Sequence, residues 1–112
     1  MLSRSIVIHT SRRQLELYEG NRLIRRYPIA VGKVATPTPH GYYTIRTKTV
    51  HPRDIYGSHL MALSIPHYAI HGTKIPSSIG QAVSKGCIRM HNHDIQNLFQ
   101  YVEVGTSVII QR

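Results

Sequence analysis

The sequence predicts a mainly β fold with one helix in its carboxy-terminal half. Three observations carry this. Apolar and polar residues alternate with period two through the first third of the chain, and Gly, Pro and Asn clusters punctuate the strand-like runs. Only the stretch from Asn92 to about Val102 spaces its apolar side chains as one helix face does.

Taken in order, Ser5 to His9 is a short β-branched run, and Gln14-Leu15-Glu16-Leu17-Tyr18 alternates cleanly. Glu19-Gly20-Asn21-Arg22 then forms a tight hairpin turn, because Gly and Asn tolerate positive φ. The return strand runs from Arg22 to Val31 and closes at Gly32, with Pro28 predicting an edge or a bulge at that point. Thr36-Pro37-Thr38-Pro39-His40-Gly41 is a rigid turn, and Tyr42 to Val50 is a strand rich in Thr, Tyr and Ile. His51 to His59 reads as a loop. Leu60 to Ile65 and Tyr68 to His71 read as two strands broken by Pro66. Between Gly72 and Gly86 the Ser, Pro, Gly and Lys content predicts a surface loop with a helical turn near Ser77 to Ala82. In the helix, Asn92 is the expected cap, Asp94 favours the positive end of the dipole, and Ile95, Leu98, Phe99 and Val102 share one face. Gly105 stops it before a final strand, Thr106 to Ile110.

At 112 residues the chain reads as one domain, able to bury roughly two-thirds of its unfolded surface without disulfide or metal support. A hydrophobic content of 41% against 17% charged separates it from disordered chains. No run reaches the roughly 20 apolar residues of a membrane span, and Met1 to His9 does not read as a secretory signal. Fourteen basic against five acidic side chains give a formal charge of +9, a field that attracts polyanions. Nucleic acid is disfavoured, since no phosphate-gripping or base-stacking motif accompanies the charge. Eight histidines, among them His91 and His93, raise the question of a metal. The absence of a Cys pair or a His-Glu-x-x-His, and the helix start beside His91, argue against one, and no cofactor is expected.

Cys87 is the only cysteine, so it can close no internal disulfide and serves either packing or reactivity. Cys87 and His71 each stand beside a glycine and an apolar strand-like run, the minimum parts of a thiol nucleophile with its base. Lys85 and Arg89 flank the thiol and would favour its anion. Gly86 lets a substrate approach the backbone, and the amides from Lys85 to Cys87 are candidate oxyanion donors. The bland alternative is a small buried residue at a strand start and a surface histidine.

Ile70-His71-Gly72-Thr73, Ser78-Ile79-Gly80, Ser84-Lys85-Gly86-Cys87-Ile88-Arg89-Met90 and Asp94 together resemble the L,D-transpeptidase catalytic domain, the YkuD-like family. Ala30 to Lys33, Thr36 to Tyr42 and Val104 to Val108 extend the resemblance over nearly the whole chain. It implies a mixed β-sandwich or barrel. It also implies that Cys87 attacks the carbonyl of the third residue of a peptidoglycan tetrapeptide stem and expels the terminal D-alanine. A diamino-acid side chain of a neighbouring stem then takes up the acyl group, giving a 3→3 cross-link. In the same implication His71 is general base and acid, and the backbone carbonyl of Gly72 takes the place of a triad carboxylate. None of the five acidic residues stands at a telling distance from His71.

Lys85 stands where many members carry His. Arg89 is read either as a carboxylate binder or as a salt-bridge partner of Asp94 or Glu103. Ser84 shapes the site or packs, and His59 and Tyr43 fit surface or core roles better than the cleft. Two rival functions share these residues: hydrolysis of the same acyl-enzyme by an L,D-carboxypeptidase, and a basic wall-binding module with no catalysis. The expected partners are stem peptides and anionic wall polymers. The expected state is an extracytoplasmic monomer associated with cell wall or spore.

Overall fold

Alternation builds the first hairpin as expected. In a computed structural model that describes residues 3–112, β1 (Arg4–His9) and β2 (Gln14–Glu19) pair antiparallel and bury Ile6, Ile8, Leu15 and Leu17 completely. The period-two spacing puts these four on one face, so the opposite register would expose all of them. β3 (Arg22–Gly32) returns along β2 with a bulge opposite the Leu17–Tyr18 step. Pro28 is not at that bulge. It occupies the last rung with β2, opposite Gln14, and the next residues, Ile29 and Ala30, pair with Met90 and Arg89 instead. The proline marks where β3 changes partner.

The remaining strands are β4 (Gly41–Val50), β5 (His59–Leu63), β6 (Ala69–His71), β7 (Ala82–Ser84), β8 (Ile88–Met90) and β9 (Ser107–Gln111). Their order is β2-β1-β9-β4-β5-β6-β8-β3, and the β2–β3 pairing closes the ring into an eight-stranded barrel. Closure removes the sheet edges that would otherwise invite aggregation. β7 lies outside the ring, parallel to β3. The interior is one apolar cluster that includes Ile29, Met61, Leu63, Ile70, Ile88, Met90, Val108 and Ile110.

The segment predicted as a surface loop is more structured than expected. It holds a 3₁₀ turn at Pro76–Ser78 and then β7, and both Ser78 and Ser84 are buried. A second 3₁₀ turn, Asp54–Tyr56, interrupts the loop before β5. The first answers to the helical turn expected near Ser77 to Ala82, whereas the second is too short, and too poor in periodic apolar residues, to show in the sequence.

The helix α1 spans Asn92–Phe99, three residues short of the expected end. Lys48 of β4 explains the early stop, because its Nζ donates to the carbonyls of Phe99 and Val102 at 2.6 Å each. A cation on exposed C-terminal carbonyls satisfies acceptors that another helical turn would have used. Ile95, Leu98 and Val102 are buried as predicted. Asn92, however, is not the cap. His91 takes that position without a side-chain bond, and the Asn92 amide is committed elsewhere.

Far from the helix, a buried polar knot ties β1 to β2 and β3. His9 Nε2 lies 2.7 Å from Glu16 Oε1, Tyr18 Oη donates to the same oxygen at 3.2 Å, and Arg26 Nε sits 3.4 Å from Oε2. Burial alone would raise the Glu16 pKa, but the bonds from His9, Tyr18 and Arg26 together hold it below the usual value of 4.5. A depressed carboxylate contributes stability that is complete above 4.5 and is lost as pH falls through the lower folded value. Glu16→Gln should therefore cost about 1–3 kcal/mol at neutral pH and flatten the acid limb of the stability curve. Thermal unfolding followed by circular dichroism from neutral pH into acid checks this. An unchanged acid limb would remove Glu16 from the account.

Candidate active site

β6 and β8 run parallel and adjacent, with Ile70 opposite Ile88 and His71 opposite Arg89. Facing residues in neighbouring strands share a face. Ile70 and Ile88 are fully buried in the barrel, so His71 and Arg89 project to the other side. Cys87, one residue before Ile88, falls on that side too. The register of two three-residue strands thus brings a thiol and an imidazole together from sites separated by a loop.

The segment leading into Cys87 has no regular hydrogen bonding of its own, so side chains supply it. Ser84 Oγ accepts from the Gly86 amide at 3.0 Å and donates to the Cys87 carbonyl at 2.6 Å. Thr38 Oγ1 donates to the Gly86 carbonyl at 2.8 Å and accepts from the Gly32 amide at 2.9 Å. Thr36 Oγ1 donates to the Ser84 carbonyl at 3.1 Å. The Thr-Pro-Thr-Pro turn is therefore a brace for the cysteine loop. Gly86 has φ +122°, and a Cβ there would meet Tyr68 Cε1 at 2.5 Å. This corrects one expectation: the Gly86 amide is occupied by Ser84 and is not a free oxyanion donor. The amides of Lys85 and Cys87 have no protein partner among the described residues. Ser84, two per cent exposed, is a buried organiser of the loop and not a surface ligand group.

His71 is buried, and its Nδ1 lies 2.6 Å from the Gly72 carbonyl. A carbonyl only accepts, so Nδ1 carries the proton and Nε2 keeps its lone pair. Burial pushes the His71 pKa down, the Gly72 bond opposes this, and Arg89 adds to the depression. Burial likewise pushes the Cys87 thiol up, against the Ala69 amide and the Arg89 guanidinium. The expected stabilisation of the thiolate by flanking cations is thus outweighed: burial dominates, and Lys85 is not among the influences on the sulfur. The Sγ is 3.8 Å from the carbonyl of His67, a residue held at φ +73°.

His71, Ser84, Lys85, Cys87 and Arg89 line one cavity of about 390 Å³, together with Ile55 and Tyr56. A second cavity of about 190 Å³ opens on another side of the sulfur, bounded by Tyr56, Cys87, Arg46, His67, Tyr68 and Ala69 among others. Tyr56 packs edge-on to the His71 ring at 5.0 Å between centroids. Arg89 forms no salt bridge with Asp94 or Glu103 among the described residues; Asp94 lies against His93. His59 packs at a tilt against Phe99 and Tyr43 Oη donates to the His40 carbonyl, and neither lines these cavities. His91 and His93 stack on each other, away from the thiol cavities.

Three contributors were not visible in the sequence. Ile55 and Tyr56 sit on the unpredicted 3₁₀ turn. Asn92 bridges two loops: its Oδ1 accepts from the Ser58 and Thr73 amides at 3.1 Å each, and its Nδ2 donates to the Thr73 carbonyl at 3.1 Å. A Cβ on Gly72 would collide with Asn92 Oδ1, so glycine is needed for the bridge to close over the His71 partner.

Comparisons with known proteins place the chain in a family and match its fold. The model of the L,D-transpeptidase catalytic domain, YkuD, matches residues 3–110. The chain belongs to the L,D-transpeptidase catalytic-domain family. A Bacillus licheniformis protein provisionally named L,D-transpeptidase YkuD is 50% identical over 105 residues, covering 94% of this chain and 64% of its own length. Its Bacillus subtilis counterpart is 47% identical, covering 96% of this chain and 65% of itself. The chain thus spans just under two-thirds of the length of these relatives. Among solved structures, the catalytic domain of an E. faecium L,D-transpeptidase superposes with a TM-score of 0.84 at 23% identity, over 99% of this chain and 98% of that one. An L,D-transpeptidase from Mycobacterium tuberculosis gives 0.87 at 20% identity, over 99% of this chain and 58% of that one. The fold is theirs, a mainly β barrel with one helix.

Two measurements follow from the geometry around Cys87 and Asn92. Because burial holds Cys87 as a thiol, its alkylation by iodoacetamide should be slow at neutral pH and climb through a midpoint above the ordinary thiol range. A rate already at its plateau at neutral pH would mean a preformed thiolate. Asn92→Ala should cost about 1 kcal/mol in denaturant unfolding, since the Ser58 and Thr73 amides lose their acceptor. Unchanged stability would mean that the loops close without it.

Proposed function

We propose that this domain is a cysteine-dependent acyltransferase acting on peptidoglycan stem peptides, an L,D-transpeptidase that forms 3→3 cross-links. The observation that carries the reading is the His71–Gly72 bond, which leaves Nε2 as a proton acceptor in the cavity that the Cys87 thiol also lines. Family membership supports the substrate class.

In the proposed reaction the Cys87 Sγ attacks the carbonyl carbon of the third stem residue while its proton passes to His71 Nε2. The oxyanion lies near the Lys85 and Cys87 amides. Collapse breaks the amide to the terminal D-alanine, whose nitrogen takes the proton from the imidazolium, and leaves a thioester. The side-chain amine of a diamino acid on a second stem then attacks the thioester, giving its proton to Nε2. The new amide forms, and the thiolate recovers the proton. Arg89 and Lys85, cations on the cavity wall without an acidic partner, suit the stem carboxylates. No step requires a cofactor or metal.

Hydrolysis by water would make the same acyl-enzyme a carboxypeptidase intermediate. The second cavity beside the sulfur favours transfer, because it offers the acceptor its own approach. A purely wall-binding role would leave the paired His71 and Cys87 unexplained. The substrate places the protein outside the membrane, at the cell wall or spore, and among the described residues no helix is long and apolar enough to cross one.

Incubation with disaccharide-tetrapeptide, followed by intact-mass spectrometry, tests the proposal. We expect a transient Cys87 adduct short of one D-alanine, free D-alanine, and dimers in excess of tripeptide. His71→Ala should slow adduct formation by about 10²–10⁴-fold, and Cys87→Ala should abolish it. Turnover without any adduct on Cys87, or persisting in Cys87→Ala, would overturn the mechanism. Tripeptide without dimer would replace transfer by hydrolysis.

A further inference from the structure

A third cavity, of about 250 Å³, lies behind the Thr-Pro-Thr-Pro turn and shares no residue with the two that flank Cys87. Arg13, Lys33, His40 and Arg112 line it, with the hydroxyl-bearing Thr10 and Ser11. None of the five acidic side chains lines it, and four of them are engaged elsewhere: Glu16 with His9 and Arg26, Glu19 with Arg4, Asp54 with Lys74, Asp94 with His93. Cations gathered in a concave site repel one another unless an anion joins them.

Arg13 is the most informative member. It is a non-glycine residue at φ +51°, and its carbonyl accepts the Ile29 amide at 3.0 Å, which holds that backbone in place. Its Nη1 donates to the Ser11 carbonyl at 2.9 Å, so the guanidinium is tethered within the β1–β2 turn. Its Nε is buried and has no hydrogen-bond partner. A strained backbone, an unsatisfied donor and a fixed cation at one residue are the marks of a side chain placed for a ligand. The lining holds no Tyr, Phe or Trp, so it offers no surface on which a nucleic-acid base would stack. The volume is slightly below the roughly 300–1,000 Å³ of small-molecule sites, room for a phosphorylated polyol unit.

We infer that this cavity is a binding site for phosphate esters, and that it engages a polyol-phosphate wall polymer one repeat at a time. It would hold the domain on anionic wall while leaving Cys87 free, since the cysteine cavities lie on the other side of the turn formed by Pro37 and Thr38. The site stands whether or not Cys87 transfers acyl groups; only the polymer as source rests on the proposed wall location.

Amide NMR of the full chain, titrated with inorganic phosphate and then with glycerol phosphate, tests it. The amides of Thr10, Gly32, Lys33 and Thr38 should shift, and those of Gly72 and Ile88 should not. Arg13→Gln with Lys33→Gln should weaken binding at least tenfold, and Lys33→Gln alone, at an exposed side chain, should weaken it without any risk to the fold. Co-sedimentation with purified walls should be strong for walls carrying polyol-phosphate polymer, weak after its removal, and should fall steeply with salt. Turnover of soluble disaccharide-tetrapeptide by Lys33→Gln should be unchanged. The inference is overturned if millimolar phosphate moves none of those amides, or if the double variant binds as before. It is also overturned if stripped walls sediment the protein equally well, or if a single-stranded oligonucleotide displaces the polymer at lower concentration.

Discussion

Two buried hydroxyls, those of Thr38 and Ser84, are the constraint on which the site depends. The chain from Ser84 to Cys87 must depart from strand geometry to present a thiol, and every departure leaves amides and carbonyls without ladder partners. Thr38 spans Gly32 and Gly86, and Ser84 spans the Gly86 amide and the Cys87 carbonyl. One continuous set of bonds therefore runs from the end of β3 to the nucleophile. The flanking prolines matter for the same reason. Pro37 and Pro39 restrict the backbone on either side of Thr38 before folding begins, so less entropy is lost in holding its hydroxyl in place.

The barrel order does the rest. β6 and β8 are parallel neighbours although β7 separates them in sequence, and β7 is expelled from the ring to pair with β3. That expulsion lets a loop carrying Pro76 and Gly80 pass around the site without inserting a strand between His71 and Cys87. With β7 in the ring between them, the two side chains would stand two strand spacings apart, roughly 10 Å, beyond any direct proton transfer.

The strands with alternating or β-branched residues were legible because each obeys one local rule. The Cys–His pair was legible as chemistry, and the motif around it carried the family. What escaped the sequence shares one physical cause: it depends on contacts between distant segments. β7 and β8 have three residues each, too short for period two to show, and exist because β3 and β6 offer them edges. Asn92 has every local mark of a helix cap, yet two loops brought within reach by the barrel outbid that role. The helix end was set by Lys48, 51 residues away from Phe99. The Gly86 amide was assigned to the oxyanion because no local signal reveals that Ser84 already holds it.

Burial sets the resting state of the pair, and Arg89 sets its bias. Burial disfavours both ions, so thiol and imidazole rest neutral, a state in which the only cysteine is less open to oxidation. The guanidinium acts on both with the same sign: it favours the thiolate and opposes the imidazolium. In the proposed reaction its two effects on the first proton transfer oppose each other, while it would assist the second, in which the imidazolium surrenders its proton to the departing D-alanine nitrogen. Expelling an amine is the harder demand, since an unprotonated amine is a poor leaving group. In the proposed reaction a cation beside the imidazole would favour departure of the amine. It does so without a triad carboxylate, which would stabilise the imidazolium and hold the proton back. A neutral carbonyl at Gly72, fixing the tautomer at 2.6 Å while adding no full charge, is the orienting group that leaves this bias intact.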